Sequence, residues 1–557
     1  MKNRIDIIPL GGIREHGESL YAVNINGNIY VLDCGLRYPD NAMLGIDLII
    51  PDFTYLERNR NRVVGIFLTD GCDTSIGALP YLLNELKVPV FGSKLTIEIA
   101  KSLIKRHPKL RSFHKYNVIN ENSEIIFNDV TVTFFKTTSS VPDSMGIVLN
   151  TSDGEIVYTG SFKFDQTVTK GYATNLTALS QIEQKHPLAL LENSNNAEDP
   201  HAHAPEEVVQ RHLIDEFRHQ SGRIIVGCMS DYLLRIQQIF RAAYLAHRKI
   251  YLVDQDPNEV IRIALKLKRL RLPAKNLLIK PKAMKQLKPD QQIILYAGQM
   301  GDPLKAIQRM TNRQVSGMKL RASDWVLIAT TPFPSIETKV AQTKDMVCRV
   351  GGRIEVLSDE LNSTMHANQS DLRLMLNIIK PQYLIPVQGE FRMLKAQVTL
   401  VRRMGFPIKR VIVPSKGDVI SYRHRQMVKI NSVPAGNVIV DGIGVGDVGN
   451  IVLRDRRVLS EDGIFIAVVT IDRKAKRIVA NPEIASRGFI YTQTNPKLMD
   501  GSRSVVKQAV QNDLDRNEFG WSRLKQDIRD NLNSYLFKLT SHHPVIMPII
   551  MEINQSK

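Results

Sequence analysis

The sequence predicts an α/β protein built in layers, with an inserted doubly wound domain and a small α/β unit at the carboxyl end. Three observations predict it. Through the first two hundred residues, short apolar runs such as IDIIPLGG, NIYVLDCG, EIVYTGSF and LALLEN alternate with turns. From about Pro205 the pattern changes to longer helical stretches alternating with parallel-type strands. Beyond about Asn450, two strand patterns, two helical patterns and a last strand, PVIMPIIMEI, close the chain.

Taken in order, Val63 to Leu68 reads as a buried strand and Ala78 to Leu86 as a helix. TDGCDTS is then the turn at a strand's carboxyl end, where α/β proteins place their chemistry. Helical patterns follow at LTIEIAKSLIKRH and at Thr177 to Glu183. In the inserted part EEVVQRHLIDEFRHQ and LLRIQQIFRAAYLAHR read as helices, and RIIVGCMS, KIYLVD and QQIILYAG as strands. VLIATT, RIEVLS, a helix at DLRLMLNIIK and the strand YLIPVQGE come next, then a connector of short strands after Arg410. Gly444-Val-Gly446-Asp-Val-Gly449 matches the dinucleotide pattern G-x-G-x-x-G, but NIVLRDRR after it reads as strand-like and β-branched. Without a helix amino terminus there is no pyrophosphate cradle, so the segment reads as a linker loop. Near the end Leu524, Ile528, Leu532, Leu536 and Leu539 recur every three to four residues and form one apolar helix face.

A chain of 557 residues implies two to four domains at about 150 residues each. Its 43% hydrophobic and 23% charged residues are those of a soluble globular protein. No apolar run approaches the roughly 20 residues of a membrane span. MKNRIDIIPLGG enters a strand pattern directly, with no secretory apolar region, so a cytoplasmic protein is expected. Cys34, Cys72, Cys228 and Cys348 form no CxxC pair and read as free interior thiols, against a zinc ribbon. A net charge of +18 implies an anionic partner, nucleic acid before any membrane. Ten cations between Arg262 and Lys288, among them Lys266, Lys268, Arg269 and Arg271, are interrupted by no acid. They make a phosphate-contact surface; the alternative is a solvated helix face with Leu265, Leu267, Leu270 and Leu272 packing inward. His201-Ala-His203 and His542-His543 have ligand-like spacing but read as surface pairs.

TDGCDTS resembles the metallo-β-lactamase signature, in which T-H-x-H-x-D-H supplies His and Asp ligands to two metal ions. IIPLGGIRE, LDCGLRYP with MLGIDLIIPD, IVYTGSFKFD, RIQQ, GQMGDP, PVQGEFRM and VDGIGVGDVGNIVLRDRRVLSEDGIFIAVV with PEIASRGFIY extend the resemblance over nearly the whole chain. Together they resemble the ribonuclease J family. The resemblance implies a metallo-β-lactamase four-layer αββα core at 1–205 and 356–425 and a β-CASP domain at 206–355. A linker at 426–450 and a carboxyl-terminal α/β assembly domain at 451–557 follow. It further implies two divalent ions, zinc or manganese, and 5′-to-3′ exonuclease and endonuclease action in messenger RNA decay and ribosomal RNA maturation.

Carried over position by position, the family's metal ligands fall on Asp70, Cys72, Thr74, Ser75, Ser139, Ser161 and Gln388. Every imidazole the resemblance would place on metal is absent, and Thr74 and Ser161 replace both carboxylates. Neutral hydroxyls and amides are poor ligands for divalent ions, so no tightly bound metal is expected, with weak residual binding near Asp70, Cys72 and Asp73 the alternative. In the emptied site Ser, Thr and Gln can donate hydrogen bonds to a phosphate. The family's phosphate-binding H-x-S-G-H loop falls on Asn362, Ser363, Thr364, Met365 and His366, of which His366 alone is kept, as a residual proton donor or an RNA contact. Arg235, Gln299 and Glu337 fall in motifs that line the RNA channel by resemblance. The resulting expectation is an RNA-binding paralogue, inactive or weakly active, paired with an active ribonuclease J or with itself as dimer or tetramer through its last domain. The rivals are a slow metal-dependent exoribonuclease and a structural partner without RNA contact.

Overall fold

The computed structural model describes residues 4–40, 43–168, 171–201, 204–253, 259–299, 301–312, 318–329, 336–358, 360–361, 365–442, 444–490, 495–516 and 519–553. They divide into two compact units, 1–40 with 47–438 and 41–46 with 439–557.

In the first unit two sheets stack face to face. One has eight described strands, in the order Gln426–Ser432, Asp418–Arg423, Ile5–Pro9, Tyr21–Ile25, Asn28–Leu32, Val63–Phe67, Val90–Gly92, Tyr116–Val118. The other runs Tyr383–Val387, Ala189–Asn193, Gly154–Tyr158, Met145–Thr151, Val130–Lys136, Ile125–Phe127. Ile7, Val23, Leu32 and Phe67 of the first interdigitate with Phe134, Ile147, Leu191 and Ile385 of the second. Helices cover the outer faces: Lys94–Lys105 lies on Val90–Gly92, while Leu179, Met375 and Leu400 bring three helices onto the second sheet. Strands covered on both faces are buried at every position and mostly apolar, as Ile5–Pro9 and Ala189–Asn193 are apart from the buried Asp6, Glu192 and Asn193. Gln426–Ser432, in the stretch read as linker, pairs with Asp418–Arg423 at the edge of the first sheet.

Chain 206–356 forms a five-stranded parallel sheet, in the order Lys249–Val253, Gln292–Gly298, Ile224–Met229, Trp325–Ile328, Arg353–Val356. It leaves the core after Ala189–Asn193 and the chain returns through Tyr383–Val387. Those two strands are parallel neighbours, with Asn193 opposite Val387. The segments that follow them, Ser194–Asn195 and Gln388, are thus set side by side although nearly 200 residues separate them.

The second unit, by itself, is a three-stranded sheet, Arg477–Arg487, Ile464–Asp472, Val545–Glu552, with the helices Pro496–Leu514 and Trp521–Thr540 on one face. Val506, Val510, Leu524, Ile528, Leu532 and Leu536 pack on Phe465, Ala467, Val469 and Ile471. Leu539 is exposed, so the apolar face read from the sequence ends one turn earlier.

Two further expectations are corrected. Asn450–Glu461 is a helix, not a strand-like stretch. Its described residues keep mainly good helix formers and an i,i+4 Arg457–Glu461 pair, and none is buried, so the β-branched Ile451 and Val452 face outward. The glycine pattern still makes no dinucleotide cradle, because Gly444–Val445 pairs antiparallel with Val440 and Asp441 in a hairpin instead of ending a parallel strand. Of the four thiols, Cys348 is exposed and the other three are buried.

Candidate functional site

The strand Val63–Phe67 delivers Thr69 and Asp70 to the rim of the sandwich. Thr69 is held by Asp33, whose Oδ1 accepts the Thr69 N–H at 2.8 Å and whose two oxygens receive the Thr69 hydroxyl. Asp33 itself stands in the left-handed region at φ 58°. Asp70 Oδ1 accepts the Cys72 N–H at 2.9 Å and so fixes the turn, after which Asp73–Ile76 forms one helical turn. Close approach is the reason for glycine at 35: a Cβ there would lie 1.6 Å from the Thr74 carbonyl oxygen. Tyr38 donates to Asp73 Oδ2 at 2.5 Å.

Burial sets the protonation of this turn. It pushes Asp33 up to about 8, the neighbouring Asp70 charge adding to the effect, and raises Asp70 and Asp73 as well. The Cys72 thiol is driven well up by the same burial and stays protonated. Asp231 of the inserted domain, absent from the residues singled out in the sequence, faces the turn and is pushed up to about 7 by burial and by Asp73. Burial disfavours the carboxylate and thiolate forms that would serve as electron-pair donors. Among the described residues no group of three or more His, Cys, Asp or Glu side chains is arranged to hold a metal ion. The residues present do not fit the family's two ions.

What fills the position instead is a chain of hydrogen bonds. Gln388, at φ 57° beyond the end of Tyr383–Val387, donates through Nε2 to Ser19 Oγ at 2.9 Å and to the Tyr158 hydroxyl at 3.1 Å. Its Oε1 accepts from Asn193 Nδ2. Tyr158 in turn donates to Asp33 Oδ2 at 2.8 Å. On the other side Asn193 Nδ2 meets His366 Nδ1 at 3.1 Å, His366 Nε2 meets Asn195 at 3.3 Å, and Asn195 meets His16 Nδ1 at 2.8 Å. His16 Nε2 lies 3.2 Å from Glu390 at the surface. Proton positions follow by elimination. Asn193 Oδ1 accepts the Asn195 backbone N–H, so its Nδ2 is the donor to His366. His366 Nδ1 is then an acceptor; at the other ring nitrogen Asn195 presents its Nδ2, since Asn195 Oδ1 is the atom that meets His16 Nδ1.

The remaining predicted residues separate. Ser139 and Ser161 are buried near this centre, and Ser139 Oγ has no hydrogen-bond partner. Ser75 is buried and bonds Asp70. Asn362, Ser363 and Thr364 lie outside the described residues; Met365 is buried. Arg235 is 2% exposed in the first turn of Leu233–Leu245, with Nη2 4.0 Å from Glu206, and is not a channel wall. Glu206 is held by Lys163 at 2.6 Å and Gln238 at 2.8 Å. Glu337 is exposed at the start of its helix. Gln299 borders a cleft of about 180 Å³ together with Asp73, Arg106, Asp231, Glu259 and Asp302. Four carboxyl groups face one guanidinium there, and Arg106 is itself paired with Glu259 at 3.1 Å. Lys266, Lys268, Arg269 and Arg271 are all exposed while Leu270 is buried; Arg269 pairs with Asp143. His201 is exposed beside Asp199, and His203 lies outside the described residues.

Sequence reasoning missed Asp33, Tyr158, Asn193, Asn195, His16 and Asp231. Asp33 in LDCG and the polar run after LALLE were the signals available.

A two-sheet sandwich interrupted by a parallel-sheet domain, with its polar centre at the strand ends, defines a metallo-β-lactamase-type fold carrying a β-CASP insertion. Family models agree: residues 221–347 match "Ribonuclease J, beta-CASP domain", 361–414 "Zn-dependent metallo-hydrolase RNA specificity domain" and 451–553 "Ribonuclease J C-terminal domain". The chain is 41% identical over 549 residues to "Ribonuclease J 2" of Streptococcus pyogenes, covering 99% of each. It is 39% identical over 556 residues to "Ribonuclease J 2" of Staphylococcus aureus, again covering 99% of each. The chain belongs to the ribonuclease J family. A crystal structure of a protein of unknown function from Enterococcus faecalis shares the fold at 15% identity, with TM-score 0.54 over 75% of this chain and all of that one. Among the described residues no helix is long and apolar enough to cross a membrane.

Proposed function

We propose that this chain is a ribonuclease J paralogue whose catalytic centre has been rebuilt as a hydrogen-bonded scaffold. It binds RNA by charge and serves as the non-catalytic or weakly active subunit of a complex with an active ribonuclease J, in messenger RNA decay and ribosomal RNA maturation. One observation carries the proposal: Gln388, at the family's last ligand position, spends both ends of its amide on Ser19, Tyr158 and Asn193. An amide saturated in this way has nothing to offer an ion, and removing it from that network costs what the network contributes. The division into a core at 1–205 and 356–425, a β-CASP domain at 206–355, a linker at 426–450 and an assembly domain at 451–557 belongs to the same reading.

The second reading, slow metal-dependent 5′-to-3′ exonucleolysis, is favoured by Asp70, whose Oδ2 is buried without a partner. Digestion of 5′-monophosphorylated RNA by this chain alone, by its active paralogue alone and by the mixture separates the two, with elemental analysis of the same preparations. We expect no stoichiometric zinc or manganese, no turnover by the chain alone, and altered cleavage in the mixture. Chelator-sensitive turnover that Asp70→Ala abolishes would overturn the proposal.

A further inference from the structure

Beyond the Gln388 centre the chain turns strongly basic. From Phe391 to Gly417 it carries seven cations and no acid. Two of the seven are already spent: Arg392 pairs with Glu198 and Glu390, and Lys416 turns inward to Glu15 and Glu18. The other five, Lys395, Arg402, Arg403, Lys409 and Arg410, are exposed and have no ion pair among the described residues. The helix Phe391–Arg403 arranges the first three. Met393, Leu394, Gln397, Leu400 and Val401 form its buried side. At about 100° per residue, Phe391, Lys395, Thr399 and Arg402 fall on the opposite side within roughly 80° of one another, with Arg403 beside them. The resulting stripe is about 18 Å long, and the chain then adds Lys409 and Arg410 in the short turn Ile408–Arg410.

An aromatic ring opens the stripe. Phe391 is 45% exposed, with the Arg14 guanidinium 4.8 Å and the Lys395 ammonium 5.8 Å from its ring centroid. Arg14 is itself exposed and stands in the left-handed region at φ 64°. Phenyl rings and guanidinium planes are the surfaces on which unpaired bases stack, and cations at helical spacing neutralise the phosphates between them. Other anionic partners fit less well. An acidic peptide would match the charges and leave the ring unused. A membrane surface calls for a broad apolar face, and Phe391 is the one large exposed apolar side chain of this helix. A duplex keeps its bases paired and offers the ring none of them.

We propose that the outer stripe of Phe391–Arg403 is a binding surface for single-stranded RNA, with a base stacked at Phe391 and Arg14 and the backbone running over Lys395, Arg402 and Arg403. The inference rests on the reading that the chain binds RNA, and adds to it a place and a mode of contact that net charge does not supply. It uses none of the residues of the Lys266–Arg271 stretch and none of the hydrogen bonds of the Gln388 centre, so it holds whether or not that centre turns over.

Fluorescence anisotropy of the full chain with a 5′-hydroxyl oligouridylate of about 16 nucleotides, in chelator and over a salt series, tests it, with circular dichroism melting to show that the variants fold. Phe391→Ala should weaken binding about tenfold and leave the salt slope unchanged, because stacking releases no counterions. Phe391→Tyr should keep the wild-type affinity. Changing Lys395, Arg402 and Arg403 together to Ala should lower the slope of log affinity against log salt by about 2. An RNA hairpin of equal charge should be indifferent to Phe391→Ala. Wild-type affinity in Phe391→Ala, a loss that Phe391→Tyr shares, or a hairpin that loses as much as the single strand overturns the proposal. An unchanged slope in the triple variant also overturns it and leaves the RNA-binding reading standing, whereas a wild-type chain with no affinity for the oligonucleotide overturns both.

Discussion

Replacing Gln388 by Ala tests the rebuilt centre most directly. The substitution deletes three buried hydrogen bonds, to Ser19, Tyr158 and Asn193, each of which contributes about 1 kcal/mol net. Tyr158 keeps Asp33, Asn193 keeps His366 and Ser19 keeps Tyr21, so none of the three partners is orphaned. Position 388 sits at φ 57°, but Gln and Ala both carry a Cβ there, so the backbone strain is common to both and drops out of the difference. The vacated space admits water, which recovers part of the loss. The expected destabilisation is therefore about 2–3 kcal/mol, a sizeable share of what a domain ordinarily possesses. Trp325 lies in the inserted domain and Trp521 in the carboxyl-terminal unit, so tryptophan emission does not report on this site. Hydrogen–deuterium exchange along a urea series, followed in peptides covering Gly154–Tyr158 and Tyr383–Val387, does. A shift below about 1 kcal/mol would mean that the amide is solvated and exchangeable, and the scaffold argument would be wrong.

Two further outcomes are expected. RNA affinity should fall steeply with salt. Changing Lys266, Lys268, Arg269 and Arg271 together to Ala should lower the slope of log affinity against log salt by up to about 3, with Arg269 contributing least because Asp143 already pairs with it; an unchanged slope in filter binding returns that stretch to a solvated surface. Stability should also respond to Glu15, which burial, reinforced by the Glu18 charge, pushes from its ordinary 4.5 up to about 8 against the pull of Lys416 at 2.6 Å. The folded chain holds a proton that the unfolded chain has lost, so this group's contribution is complete below pH 4.5 and drains away as pH rises towards 8. Glu15→Gln should flatten that decline by on the order of 1–2 kcal/mol in urea midpoints at pH 5 and pH 8, and a variant with the wild-type pH slope would refute the assignment.

The sequence by itself determined the layered α/β class and most strand positions. The physical reason is local. Strands covered on both faces are apolar at consecutive positions, as in Tyr383–Val387, and such runs are visible without the fold. Local composition misled at Asn450–Glu461, where β-branched residues and preceding glycines outweighed the helix formers in a segment with no buried residue to supply an amphipathic signal. The tertiary structure alone decided what the exchanged residues do. Gln388 reaches Tyr158 across 230 positions and Tyr158 reaches Asp33 across 125. No periodicity or spacing encodes such pairings, because they arise where two sheets converge and where adjacent parallel strands bring Asn193 and Gln388 together. Burial, likewise a property of the folded chain, raises the pKa of Asp33, Asp70 and Cys72 and so disfavours their anionic forms.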